Sequence, residues 1–155
     1  MTGVPEGDRR ASVVVEEVTT ATPEVSDALR MLIPELSSSA PPLTDRALGE
    51  IASSPATVLL VARDASAAIV GSLTLVVFGA PTGVRAWIED VVVAPVARGQ
   101  GVGAALVLDA LNRAAAAGAR TVDLTSRPSR EDANRLYLRL GFLQRTTNVY
   151  RKDLE

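Results

Sequence analysis

The sequence predicts an α/β (α+β) fold, and three observations carry that reading. Short β-branched runs alternate with segments whose apolar residues recur three and four apart. Two apolar runs flank a turn-like tetrapeptide, the pattern of an antiparallel hairpin. A glycine loop follows a run of valines and opens a long apolar helix. With 155 residues, 47% of them hydrophobic and 22% charged, the chain has the size and composition of one globular domain.

Residues 1–11 mix glycine, proline and charge without periodicity, which predicts a loose leader followed by a single domain over 12–155. Val13, Val14 and Val15 give a first strand. From Pro23, capped by Thr22, the residues Val25, Ala28, Leu29 and Leu32 recur at helical spacing. Leu36 to Thr44 is rich in serine and proline and reads as a flexible connection. Thr44 or Asp45 then caps a short second helix carrying Leu48 and Ile51.

Thr57 to Ala62 and Ala68 to Phe78 form the hairpin around Arg63-Asp64-Ala65-Ser66. After the turn Pro81-Thr82-Gly83 comes a strand over Ala86 to Val93, whose Val91-Val92-Val93 end suits burial on both faces. Val102, Leu106, Ala110, Ala114 and Ala117 mark the helix that opens on the glycines, with Gly118 at its C-terminal end. Arg120 to Thr125 reads as a strand. Ser129 is the expected cap of a last helix with Glu131 and Asp132 in its first turn and its end at Gly141. Phe142 to Leu154, with Thr146, Thr147, Val149 and Tyr150, reads as a closing strand.

Composition excludes whole reaction classes. The chain has no histidine, no cysteine and one lysine, Lys152, so it has no Ser-His-Asp triad, no thiol nucleophile, no His or Cys zinc site and no P-loop lysine. We expect no metal, and acid-base work must fall to carboxylates, tyrosine, the terminal amine or water. A net charge of -2 without a basic stripe argues against nucleic acid. The polar start, with Asp8, Arg9 and Arg10 and no apolar stretch, predicts neither a signal peptide nor a membrane span, and hence a cytoplasmic protein.

The loop Arg98-Gly99-Gln100-Gly101-Val102-Gly103-Ala104 carries the chemistry. Its Gly99-x-Gly101-x-x-Ala104 spacing fits the dinucleotide fingerprint, but there the strand runs straight into the first glycine, whereas here Ala94 to Arg98 intervenes. Too little chain follows to build a doubly wound sheet. Small residues at a helix start expose backbone N–H groups and the positive end of the dipole, and Arg98 adds a charge-assisted donor. A pyrophosphate or similar anion is the expected ligand.

The run Ile88-Glu89-Asp90-Val91-Val92-Val93-x-Pro95-x-x-Arg98-Gly99-Gln100-Gly101-Val102-Gly103 resembles the acyl-CoA-binding motif of the GNAT superfamily, glucosamine-phosphate N-acetyltransferases among them. The resemblance extends in element order from Ser12 to the end. It implies the GNAT fold, a central mixed, mainly antiparallel twisted sheet flanked by helices, with acetyl-CoA as cosubstrate. It also implies that Val91, Val92 and Val93 pair with the pantetheine arm, while Arg98 to Ala104 hold the pyrophosphate.

On the last helix Arg130, Asn134 and Tyr137 share one face, and Ala133, Leu136 and Leu140 another. Read from its spacing, Tyr137 fits a core boundary with its hydroxyl wet or locally bonded as well as it fits a site. Ala133-x-x-Leu136-Tyr137-x-x-x-Gly141-Phe142 resembles the second GNAT motif, which implies that Tyr137 protonates the departing thiolate. Many relatives have asparagine where this chain has Arg130, and here Asn134 is the asparagine assigned to CoA. Glu89 and Asp90 are adjacent and should point to opposite faces of a strand, with Glu89 as the candidate base.

The resulting expectation is an N-acetyltransferase acting on a primary amine of a small molecule, with a homodimer left open. A catalytically silent acyl-CoA sensor is the alternative. The acceptor itself carries no readable code.

Overall fold

The computed structural model describes residues 12–154, and the expected leader over 1–11 lies outside the described residues. The chain divides into two compact units at the Thr125–Ser126 boundary. The first is built on a five-stranded sheet in the order β1 (Val14–Glu17), β2 (Thr57–Arg63), β3 (Ile69–Ala80), β4 (Gly83–Val93), β5 (Val122–Asp123). Strands β1 to β4 are antiparallel and β5 runs parallel to β4, which gives the mixed, mainly antiparallel sheet that was expected.

The hairpin turn is held by Asp64, whose Oδ1 accepts from the backbone N–H groups of Ser66 at 2.9 Å and Ala68 at 3.1 Å. Helix α1 (Pro23–Leu36) starts as predicted, with Thr22 Oγ1 accepting from Val25 N at 3.3 Å. Helix α2 (Asp45–Ser53) is capped the same way by Thr44, which accepts from Ala47 N at 3.1 Å.

These two helices cover one face of the sheet, where Val18, Val25, Leu29 and Leu48 pack with Leu59 and Val61. The alternate residues of β2 and β3, Leu60, Leu73 and Leu75, are fully buried on the opposite side. Helix α3 (Val102–Ala116) lies there, burying Val102, Leu106, Val107, Ala110 and Ala114. A sheet covered on both faces explains why β2 and β3 read as continuous apolar runs. Each fully buried leucine contributes about 1.5–3 kcal/mol relative to exposure. Gly71 lets α3 approach: a Cβ there would sit 2.8 Å from Val102 Cγ1 and 3.1 Å from Leu106 Cδ1.

Three expectations are corrected. Strand β5 spans two residues instead of Arg120 to Thr125, because its ladder with β4 stops at Trp87–Asp123, short of a bulge that bends β4. In the second unit, α4 (Glu131–Arg139) is preceded by Arg130, not Ser129, at the capping position, and no side chain caps it. A turn bond from Arg130 N to Arg127 O at 3.0 Å sets that start. The helix ends as predicted at Gly141, with Phe142 N donating to Tyr137 O at 3.0 Å.

The third correction is that Phe142 to Leu154 forms no strand. Of its alternating sets, one carries Arg145, Arg151 and Asp153 and the other Gln144, Asn148 and Lys152, so neither offers an apolar face to bury. Leu143, Val149, Tyr150 and Leu154 are correspondingly exposed. Among the described residues no helix is long and apolar enough to cross a membrane.

Candidate functional site

The end of β4 is irregular in a way that matters. Ser72 pairs with Val92 and Thr74 with Glu89, so Asp90 and Val91 together oppose Leu73: β4 carries one extra residue. Asp90 takes up the distortion at φ +52°, a region that aspartate tolerates better than most residues. The simple alternation expected for Glu89 and Asp90 therefore fails, and both carboxylates are exposed.

The register puts Glu89 and Val92 on the face covered by α1 and α2. Val92 is buried, while Val91 and Val93 are half-buried. Since the sheet pairing of β4 with β5 covers only Ala86 and Trp87, the edge from Ile88 to Val93 has no strand beside it in that sheet. Its outward N–H and C=O groups are available to an extended ligand.

Beyond β4, Pro95–Ala97 makes a single 3-10 turn that leads to Arg98. Gln100 Nε2 donates back to Val96 O at 3.2 Å, tightening the loop. Gly101 stands at the capping position of α3 with φ +83°, a conformation that costs an L-residue about 1–2 kcal/mol. The first helical bond there is Ala105 N to Gly101 O at 3.0 Å, which leaves the N–H groups of Val102, Gly103 and Ala104 without an intrahelical acceptor.

No side chain caps this turn and it contains no acidic residue. An N-terminus with orphan donors, a positive dipole end and no carboxylate of its own fits a pyrophosphate. Arg98, Gly99 and Gln100 lie on the loop between that 3-10 turn and α3. Arg98 is held by Glu35 of α1, with Nη2 3.2 Å from Oε2.

Glu89 is hydrogen-bonded by Trp87, whose Nε1 donates to Oε1 at 2.7 Å. Trp87, Glu35 and the bulge at Asp90 were missed by sequence reasoning. The two-residue spacing of Trp87 and Glu89 was a readable sign of a shared face. Glu35 is 63 residues from Arg98, and no local pattern signals such a pair.

Asn134 and Tyr137 lie in the second unit. Asn134 Nδ2 donates to Arg127 O at 3.0 Å, pinning the segment before α4. Tyr137 is the buried residue of α4, 9% exposed, and meets Phe142 edge to face with ring centroids 5.8 Å apart. Burial pushes its phenol above the usual tyrosine range, and the nearby Arg130 charge partly offsets this. The folded environment of Tyr137 therefore favours its protonated form.

Residues 25–142 match the family model of the acetyltransferase (GNAT) family. Among solved structures, a transcriptional regulator from Bacillus halodurans is 29% identical, with 92% of this chain and 100% of that chain covered at a TM-score of 0.76. An acetyltransferase from Trypanosoma brucei is also 29% identical, with coverage of 92% and 100% and a TM-score of 0.73. An aminoglycoside N-acetyltransferase solved with CoA shares the fold at 17% identity, coverage of 97% and 98% and a TM-score of 0.74. No curated protein matches the chain.

Proposed function

Because this chain belongs to the GNAT acetyltransferase family, we propose that it transfers the acetyl group of acetyl-CoA directly to a primary amine of a small molecule. The observation that carries this reading is the uncapped, acid-free N-terminus of α3, joined by one short turn to an open strand edge. A ligand with a diphosphate at one end and an extended amide-bearing arm suits that pair of features. The CoA bound by the aminoglycoside N-acetyltransferase of like fold is such a molecule.

In this reading Arg98 and the N–H groups of Gly99 to Ala104 hold the diphosphate, and Val91 to Val93 pair with the pantetheine amides. Glu89, directly or through water, takes a proton from the acceptor ammonium so that a neutral amine attacks the thioester carbonyl. A backbone N–H near Val92 stabilises the developing oxyanion. As the C–N bond forms and the C–S bond breaks, the nitrogen sheds its second proton to water and Tyr137 gives its own to the departing thiolate. Glu89 then releases its proton to solvent and Tyr137 is reprotonated from it. Asn134 takes part on the CoA side. No acyl-enzyme forms, consistent with a chain that has no cysteine and no histidine.

Release of free thiol from acetyl-CoA across a panel of primary amines tests the proposal. Turnover with at least one amine is expected. Tight CoA binding without turnover would assign the chain to the silent sensor class, and absence of CoA binding would remove the reading altogether.

A further inference from the structure

We infer that Glu35 competes with the diphosphate of acyl-CoA for Arg98, so that the ligand binds by exchanging a carboxylate for its own phosphates. The inference rests on the acyl-CoA reading above and concerns a residue of α1 that the binding motif does not contain. Arg98 Nη2 lies 3.2 Å from Glu35 Oε2, and the two side chains are 57% and 40% exposed. Glu35 stands in the last turn of α1, where the negative end of the helix dipole disfavours a carboxylate and no basic residue compensates it. Arg98 supplies that compensation.

A half-exposed pair of this kind is weak, since solvent screens it and two long side chains must be ordered. A diphosphate is the stronger partner, because it carries more charge and also accepts from the free N–H groups of the α3 N-terminus. Once displaced, the Glu35 carboxylate remains anchored to α1 near a bound polyanion. It therefore opposes binding twice, by occupying the arginine beforehand and by repelling the phosphates afterwards. Removing its charge should tighten the ligand, and only a ligand that has phosphates.

Calorimetric titration of the wild type, Glu35→Gln, Arg98→Gln and the double variant with acetyl-CoA and with acetyl-pantetheine tests this. Glu35→Gln should tighten acetyl-CoA by up to about fivefold, leave acetyl-pantetheine unchanged and have a smaller effect in the Arg98→Gln background, where only the repulsion of the phosphates remains. Melting curves check that each variant folds. Unchanged or weaker acetyl-CoA binding by a folded Glu35→Gln, with the wild type binding normally, overturns the inference, as does equal tightening of acetyl-pantetheine. If the wild type binds no acetyl-CoA, the acyl-CoA reading itself falls and this inference with it.

Discussion

Trp87 donates its indole N–H to Glu89 at 2.7 Å, two residues along β4 on the face that α1 and α2 cover. The bond fixes one carboxylate oxygen and leaves the other to accept from an amine. If Glu89 is the base, Glu89→Gln should lower kcat by about 10²–10⁴. Trp87→Phe keeps an aromatic ring but loses the donor, and should lower kcat by up to about tenfold while KM for acetyl-CoA stays unchanged. Trp87 is also the single tryptophan of the chain, so its emission reports acceptor binding directly. Equal kcat in wild type and Glu89→Gln would remove Glu89 from the mechanism.

Tyr137 gives a prediction with two separable parts. If Tyr137 is the general acid, its replacement by phenylalanine should lower kcat by about 10²-fold or more with little change in acetyl-CoA affinity. Its phenol is raised above the usual value by burial, so the folded state favours the protonated form. That preference is fully present below pH ~10 and is lost as pH rises through the folded value. Thermal melts of the wild type should therefore fall off above about pH 10 more steeply than those of Tyr137→Phe. Parallel alkaline curves would mean that Tyr137 is less buried than described.

Gly71 separates packing from ligand binding. An added methyl would press on Val102 and Leu106 and on the Val92 carbonyl, 3.1 Å away. Overpacking of this kind costs about 1–3 kcal/mol. Because Val102 is the first residue of α3, Gly71→Ala should both lower Tm and weaken acetyl-CoA binding. At Gly101 a Cβ meets nothing within 4 Å, but φ is +83°. Gly101→Ala should therefore weaken the ligand through backbone strain without crowding any neighbour. Unchanged affinity in both variants would detach the diphosphate from α3.

The parts of the fold legible in the sequence were those decided by local chemistry. Thr22 and Thr44 cap their helices as their positions suggest, and Asp64 makes the predicted turn. The turn into α3 was readable because Gly101 supplies the left-handed backbone on which the helix opens. What escaped was non-local. The bulge at Asp90 depends on how β4 meets β3, and the Glu35–Arg98 pair joins segments with no shared pattern. Phe142 to Leu154 misled because β-branched and aromatic residues favour strands only where a face can be buried.

Acid stability should depend on Asp45. Its Oδ1 accepts from the Ser26 hydroxyl at 2.7 Å and from Arg30 Nη2 at 2.7 Å, tying α1 to the first turn of α2. The Ser26 hydroxyl and the Arg30 guanidinium hold this carboxyl below the ordinary aspartate range. A depressed folded value means that the stabilisation is present above the unfolded value of about 3.9 and is lost as pH falls through the folded one. Glu24, bonded by Arg63, and Asp64, bonded by Ser66, are lowered too, so the wild-type melt alone does not isolate Asp45. The difference between wild type and Asp45→Asn does: the variant should melt lower at pH 7, and the gap should close as pH falls below the unfolded value and through the depressed folded one. Ser26→Ala should lower Tm at pH 7 as well, since it removes the buried donor. A gap between wild type and Asp45→Asn that stays constant down to pH 2 would show that Asp45 stabilises the α1–α2 junction by shape and not by charge.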